Sequence, residues 1–430
     1  MYPLNKIFFS KSLALFVRGG FLLTVSNVFV GIFGYLFQIA VGRLLTPGEF
    51  ALFSSIIALY MLLGSPLVFV NMLVVKKISV LRALDQLSGL RYFYSHIQKY
   101  LFLFSIISIA TAFVAQDFLG IYIKNVARSE VLLLGLLFSI NLFFAINNSF
   151  LQGLQFFGLQ SVTHILFSVG KLIFGVTFIV AGLSVFGGIL GVTVATACSV
   201  LLGWFFLKSA LKEANVESIS GDMSAKDFNF GSSSILVMSI AFALLTQFDM
   251  ILVNWLYTPE QAGMYAAASV LGKAVLYIPS GLVIALFPMV VEGAVSQKST
   301  LHLLRLALAI TLLMCGILAI IYFLFGDVLI ALVYGKAYMG AGDLLRWYGM
   351  AMLPLALIIV LEHYLIAHGR ALFSWIFLII SPLQALAIYF WHDQLMNVVI
   401  SIACCGIILL LIGMYLVGKD LILSKNIKPN

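Results

Sequence analysis

From residue 19 to residue 417 the chain is a succession of apolar stretches, each long enough to cross a bilayer. A membrane-spanning helix needs about 20 mainly apolar residues. That ruler marks about twelve segments: 19–41, 50–74, 99–116, 131–151, 161–182, 186–207, 230–253, 263–289, 304–325, 344–367, 371–391 and 395–417. Most of their boundaries carry Gly, Pro or charge, as in TPGE at 46–49 and TPEQAG at 258–263. Composition agrees. Hydrophobic residues make up 63% of the chain and charged residues 9%, with a mean hydropathy of +1.14, whereas soluble domains run about half apolar and about a quarter charged. The expected fold class is an all-α, multi-pass membrane protein, with lipid rather than water as the solvent for most of its surface.

A formal net charge of +8 invites a nucleic-acid partner, but the placement of the charges argues against one. With the N-terminus inside, one face receives Lys6, Lys11, Arg18, Lys76, Lys77, Arg82, Arg91, Lys99, Lys208, Lys212, Lys226, Lys298, Arg305, Arg370, Lys419, Lys425 and Lys428. The other receives Arg43, Lys124, Arg128, Lys336 and Arg346. Basic residues collect in cytoplasmic loops, so both termini are expected in the cytoplasm. The N-terminal stretch has only a short apolar run and no small-residue cleavage site, so no cleaved signal peptide is expected. Cys198, Cys315, Cys404 and Cys405 sit in apolar runs without zinc or redox spacing. They read as small buried hydrophobes. No Gly-rich phosphate loop, metalloprotease helix or nucleophile motif is present. Neither an enzyme, a metal site nor a cofactor is expected.

The two halves resemble each other. GRLLTPGEFALFSSI at 42–56 matches NWLYTPEQAGMYAAA at 254–268, with Thr46-Pro47 and Thr258-Pro259 lying 212 residues apart. Near the same offset, YIKNVARSEVLLLG at 122–135 parallels YGKAYMGAGDLLRW at 334–347. Six spans separate the copies, so both have the same orientation, a parallel repeat about an axis along the membrane normal. The expected division is an N-terminal six-helix lobe at 1–207, a cytoplasmic linker at 208–229 and a C-terminal six-helix lobe at 230–430.

Two basic residues, Lys171 and Lys273, fall inside spans. On insertion scales a lysine at a helix centre costs roughly 2.5–3.5 kcal/mol. Each lies about ten residues from the nearer end of its span, hence roughly 15 Å deep in a core of about 30 Å. Helical spacing places Tyr265, Ser269, Lys273, Tyr277 and Ser280 on one stripe, and Ser161, His164, Ser168 and Lys171 on another. The fourth span contributes Asn141, Asn148, Gln152 and Gln155, and the first Thr24, Asn27, Gly31, Gly34 and Gln38. Hydrogen bonding between packed helices is the plainer explanation for the Ser and Asn positions. Two cations at mid-depth point instead to a water-filled cavity accepting an anionic group. Asp249 has two readings, a partner for Lys273 or a coupling-ion site, and Glu362 reads as an interfacial residue or a second such site. Pro66, Pro279, Pro288, Pro354 and Pro382 would kink their helices.

GRLLTPGEFALFSSI resembles the A/G-R-x-L-x-P-x-E-F/Y-G motif of bacterial polysaccharide repeat-unit exporters, the O-antigen type flippases. FDMILVNWLYTPEQAGMYAAASVLGKAVLYIPSGLVIALFPMVVE at 248–292 and YGKAYMGAGDLL at 334–345 resemble further elements of that family. Ala51 stands where Gly is usual, and LQGLQFFGLQS lacks the basic residue that often follows. These proteins belong to the multidrug/oligosaccharidyl-lipid/polysaccharide exporter superfamily. The resemblance implies a two-lobed, V-shaped helical transporter of the inner membrane, working by alternating access. It also implies an undecaprenyl-diphosphate-linked oligosaccharide as substrate, with H+ or Na+ as coupling ion and polysaccharide-assembly proteins as partners. On that reading Arg18 receives the diphosphate at the cytoplasmic mouth. Lys171 and Lys273 screen it, Asn148, Gln152 and Tyr277 meet sugar hydroxyls, and Asp249 and Glu362 serve ion coupling. A drug antiporter of the same superfamily is the alternative, though its cavity should carry carboxylates where this chain has lysines. A membrane glycosyltransferase or polymerase would need a sizeable external loop, and every external loop here is short.

Overall fold

The computed structural model describes residues 4–84, 87–212, 233–279, 300–368 and 370–425, and among them every regular element is helical. The helices are α1 (Leu4–Leu44), α2 (Pro47–Gly64), α3 (Leu67–Ala83), α4 (Leu87–Tyr122), α5 (Arg128–Gly153), α6 (Phe157–Phe178), α7 (Ser184–Lys212), α8 (Ser233–Leu256), α9 (Pro259–Gly272), α10 (Leu301–Val333), α11 (Gly342–Ala367), α12 (Ala371–Phe390) and α13 (Leu395–Lys425). Ten described stretches are long and apolar enough to cross a membrane. One of them, Phe157–Leu211, contains two expected spans. The expected span at 263–289 is described only to Pro279. Ser280, Pro288, Lys226, Lys298, Lys428 and most of the 208–229 linker lie outside the described residues. The protein is a multi-pass α-helical membrane protein.

The expected 50–74 span is divided. Pro66 has no N–H to give to the Leu62 carbonyl four residues back. That carbonyl instead accepts from the Ser65 backbone N–H at 3.2 Å and its hydroxyl at 2.8 Å. Pro66 therefore separates α2 from α3 and is not a kink inside a span. Pro354 and Pro382 do lie within helices, α11 and α12.

The internal repeat is visible in the caps. Thr46 accepts from Glu49 N–H at 3.4 Å while the Glu49 carboxylate accepts from Thr46 N–H at 2.9 Å. Thr258 and Gln261 make the same reciprocal pair at 3.3 and 3.2 Å. In each copy a proline opens the helix, where its missing N–H costs nothing.

Packing groups the chain into two units. Unit one comprises 1–45, 67–120 and 125–229, and holds α1, α3, nearly all of α4, and α5 to α7. In it α6 packs on α1 and α7, α5 packs on α3 and α7, and Val74, Ile78, Leu90, Phe93, Phe150 and Leu207 form an apolar core. A Cβ at Gly191 would lie 2.3 Å from the Gly175 Cα, so α6 and α7 touch backbone to backbone through small residues. The chain turns between them through a wide helical turn at Ile179–Leu183, where Gly182 takes φ +91°.

Unit two comprises 46–66, 121–124 and 230–430. Two segments that the sequence division assigns to the first lobe thus cluster with the second, and α7 extends past residue 207 to Lys212. The reason is local. Nine consecutive residues of α2, Phe50–Ala58, are buried. A helix buried on all sides needs neighbours on all sides, and α8 and α9 provide them. A Cβ at Gly263 would lie 2.3 Å from the Pro47 carbonyl oxygen, and one at Gly48 would lie 2.9 Å from Pro259 Cβ, so the two repeat copies pack start against start. The 121–124 segment is held by Lys124, whose backbone N–H donates to Asn254 Oδ1 and whose ammonium donates to the Tyr257 carbonyl, both at 2.8 Å. The Tyr257 hydroxyl donates to the Gln394 carbonyl at 2.9 Å. Burial, and then the negative charge of Asp393, pushes that hydroxyl up to about 12.

Candidate functional site

Unit two contains a buried charged cluster to which α8, α9 and α11 each contribute a side chain. Asp249, on α8, is 1% exposed. The Tyr265 hydroxyl of α9 donates to its Oδ2 at 2.7 Å and the Tyr348 hydroxyl of α11 to the same oxygen at 2.9 Å. Oδ1 receives the Lys273 ammonium at 3.2 Å. Ser269 donates to the Tyr348 hydroxyl at 3.1 Å. The rings of Tyr265 and Tyr348 meet edge to face, their centroids 5.7 Å apart.

The backbone explains why the lysine reaches there. Helix α9 ends at Gly272, and Lys273–Tyr277 continues as a tighter 3-10 turn. A Cβ at Gly272 would sit 2.4 Å from the Tyr348 ring, so only glycine lets Tyr348 come this close. The Tyr322 hydroxyl of α10 donates to the Leu271 carbonyl at 2.9 Å. It supports the chain where the helix changes pitch. The sequence stripe identified Tyr265, Ser269 and Lys273, and the ion pair with Lys273 is one of the two readings of Asp249. Sequence reasoning missed Tyr348 and Tyr322, whose signal was a hydroxyl-bearing residue in otherwise apolar spans.

Unit one holds the other lysine in different surroundings. Lys171, on α6, has its ammonium 5.1 Å from the Phe167 ring centroid and 5.7 Å from that of Phe37 on α1. A Cβ at Gly34 would lie 3.5 Å from the same nitrogen, so α1 leaves room for the ammonium at its glycine. Ser168, one turn earlier, ties α6 to the Val30 carbonyl of α1 at 2.9 Å. None of the ion pairs among the described residues includes Lys171.

The remaining predicted residues divide. Asn148 is buried between α5 and α6. It donates to the Phe144 carbonyl at 2.8 Å and accepts from Thr163 at 2.9 Å, so its amide joins helices. Its neighbour Asn147 joins three, accepting from Tyr94 of α4 at 3.0 Å and donating to the Val200 carbonyl of α7 at 3.2 Å. Gln152 is exposed, and so is Tyr277, at 62%. Glu362 is half-buried on α11 and takes part in no ion pair among the described residues. Arg18 falls within α1, in a part whose side chains lie outside the description. Among the described residues no three His, Cys, Asp or Glu side chains gather to hold a metal ion.

The class this defines is an all-helical, multi-span membrane protein with ionisable side chains inside its apolar spans, and the comparisons with solved structures agree on the fold. The chain is similar to an inward-facing multidrug-resistance MATE family transporter of the MOP superfamily, at TM-score 0.73 and 15% identity, covering 93% of this chain and 96% of that one. It is similar to the lipid II flippase MurJ in an inward closed conformation, at TM-score 0.67 and 14% identity, covering 93% and 87%. A mutant form of the Vibrio cholerae MATE transporter VcmN gives TM-score 0.63 at 14% identity, covering 96% and 97%. At these identities the likeness establishes the fold. The family model described as "Polysaccharide biosynthesis protein" matches residues 16–294, well over half of the chain, and the chain belongs to that family. No curated protein sequence matches it.

Proposed function

We propose that this protein is a flippase that carries a polyprenyl-diphosphate-linked oligosaccharide from the cytoplasmic to the outer leaflet of the inner membrane by alternating access. Both termini lie in the cytoplasm, an ion gradient drives the cycle, and the substrate is handed on to polysaccharide-assembly proteins. Membership of the polysaccharide biosynthesis family supports the substrate class, and the fold shared with a lipid II flippase supports the type of transport. The observation that carries the reading is Lys171. It is a mid-depth lysine with aromatic rings and a glycine beside its ammonium and no ion pair among the described residues. A cation in that position is stabilised by an anion brought to it, and a diphosphate supplies one. Lys273 already has a carboxylate partner, so of the two lysines within spans Lys171 is the one that meets the diphosphate. Arg18 remains the proposed entry residue, and the exposed Gln152 and Tyr277 the proposed hydrogen-bonding partners of sugar hydroxyls. Asn148 is a poorer candidate because its amide is already engaged.

The test is accumulation of lipid-linked oligosaccharide on the cytoplasmic face of cells lacking the protein. Wild type should relieve it, and Lys171→Ala, inserted at the same level, should not. Full relief by Lys171→Ala removes the charge from the mechanism. A deletion strain that traps no glycan removes the substrate class and favours the drug-antiporter alternative.

A further inference from the structure

The two ends of α4 treat charge differently. Near its C-terminus, Asp117 is paired with Arg128 at the start of α5, 3.0 Å away. Near its N-terminus, Arg91 and Lys99 are exposed, and none of the ion pairs among the described residues includes either. No Asp or Glu occurs from 87 to 116. Residues four apart on a helix lie one above the other, so the sequence builds two adjacent columns here. One is Arg91, Ser95 and Lys99. The other is Tyr92, His96 and Tyr100, whose rings form a ladder with successive centroids 4.8 and 6.0 Å apart. Ser95, between the two cations, is small and directs its hydroxyl back to the Tyr92 carbonyl at 2.9 Å. Toward the C-terminus the first column continues as Leu103 and Ile107 and the second as Phe104, all exposed.

We propose that this face of α4 binds an anionic phospholipid, with the phosphate at Lys99 and the acyl chains along Leu103, Phe104 and Ile107. Depth fits that division. The apolar run from Leu101 to Ala115 is about 22 Å long at about 1.5 Å per residue, shorter than a hydrocarbon core of about 30 Å. A short span draws the head groups in toward its flanking residues, which puts Lys99 and Tyr100 at the level of lipid phosphate. A helical side chain leans toward the helix N-terminus, so Lys99 extends along its column in the direction of Ser95 and Arg91. Arg91, two turns further out, meets the polar part of the head group, and Tyr92 and Tyr100 are of the type that settles at the membrane interface. Lys76 and Arg82 of α3 are also exposed. Val74 and Ile78 of that helix share a core with Leu90 and Phe93 of α4, so the positive potential is concentrated at one end of unit one. Orienting the helix in the bilayer needs the charges alone. It needs neither the ring ladder nor its alignment with an exposed apolar column. On the orientation proposed above, the leaflet concerned is the cytoplasmic one.

The experiment is independent of transport. Purified full-length protein in detergent is titrated with phosphatidylglycerol or with phosphatidylcholine of the same acyl chains, and bound lipid is counted by native mass spectrometry. Wild type should bind phosphatidylglycerol the more tightly. A basic residue near an anionic head group is worth about fivefold in affinity, so Arg91→Gln/Lys99→Gln should weaken phosphatidylglycerol about 25-fold and leave phosphatidylcholine unchanged. Lys208→Gln, which removes a basic residue lying over the Trp204 ring of α7 at 4.8 Å, should keep the preference. Equal affinity of wild type for the two lipids overturns the proposal, and so does a preference that the double variant retains. The basic column would then serve an acidic protein segment or only orient the helix. An equal loss in Lys208→Gln overturns it too, since any basic surface would do. Displacement of phosphatidylglycerol by glycerol 3-phosphate would assign the site to soluble phosphates instead. If the double variant does not survive extraction, Arg91→Gln and Lys99→Gln are read singly in the same way.

Discussion

Lys171 in unit one rests against two phenylalanine rings and a glycine, whereas Lys273 in unit two meets a carboxylate reinforced by two tyrosine hydroxyls. Both came from the same sequence signal, a basic residue about mid-way along an apolar span. The difference lies in what the neighbouring helices bring to them. Helix α8 brings Asp249 to Lys273, while α1 brings Gly34 and Phe37 to Lys171. A paired cation is part of the internal bonding of its unit. A cation facing rings gains about 0.5–2 kcal/mol from such contacts and, unlike a cation paired with a carboxylate, keeps its net charge uncompensated. Depth alone therefore does not separate the two lysines, and on the proposed function their pairing state does.

That contrast is most directly broken by removing each charge, and the largest effect on stability belongs to Lys273→Ala. It leaves Asp249 buried without a counter-charge, a change that costs about 3–5 kcal/mol. Thermal unfolding should show it as a large drop. The double variant Asp249→Asn/Lys273→Ala, which leaves no buried charge, should recover a substantial part of the loss. A single variant as stable as wild type would mean that the ion pair contributes nothing to the unit.

Next in size is Gly272→Val. A side chain there must displace the Tyr348 ring, 2.4 Å from the position of its Cβ. Overpacking of this kind costs about 1–3 kcal/mol. Because the ring carries a hydroxyl bonded to Asp249, the substitution should also make stability depend less on Lys273. A double-mutant cycle of Gly272→Val with Lys273→Ala should therefore be clearly non-additive. Additive losses would separate the glycine from the charged cluster.

The repeated caps offer a smaller and more local comparison. Thr46→Ala and Thr258→Ala each remove a capping hydroxyl and should cost about 1 kcal/mol. Thr46 is paired with a carboxylate, Glu49, and Thr258 with an amide, Gln261. Charge-assisted hydrogen bonds are the stronger kind, so Thr46→Ala should be the more damaging of the two by thermal unfolding. The reverse order would show that the packing of α2 against α8 and α9, rather than the cap, sets its start.

Much of this was legible in the sequence, and the failures have identifiable physical causes. Span positions follow from hydropathy, because lipid imposes a length on each helix. The repeat was readable from two Thr-Pro pairs because the capping chemistry is local. Its consequence was not, since nothing in TPGEF says that α2 is buried on every side within unit two. Pro66 was read as a kink and is a boundary, because Ser65 supplies the donor that the proline lacks. The stripe on α9 placed Tyr265, Ser269 and Lys273 together because they share a helical face. Tyr348 lies 79 residues from Ser269 in the chain, and no period within one helix can reveal a partner on another. Asn148 shows the opposite limit. Its spacing was right for a polar stripe, and the structure uses its amide to join α5 to α6.

Lys171→Ala should be close to the caps in its effect on stability, and it is the most informative. Removing this side chain takes away two cation–ring contacts and no ion pair among the described residues, so the loss should be below about 1–2 kcal/mol. Insertion and thermal unfolding should remain close to wild type, while relief of the trapped lipid-linked glycan should be lost. Lys171→Arg keeps the cation and the ring contacts but changes its shape and donor geometry. If the role is to attract an anionic group, Lys171→Arg should retain export in part. If only the packing between α1 and α6 matters, a neutral residue of similar length, Lys171→Met, should serve as well as wild type. Export by Lys171→Met would reduce Lys171 to a packing element and leave Lys273, paired with Asp249, as the remaining lysine within a span to test for anion recognition.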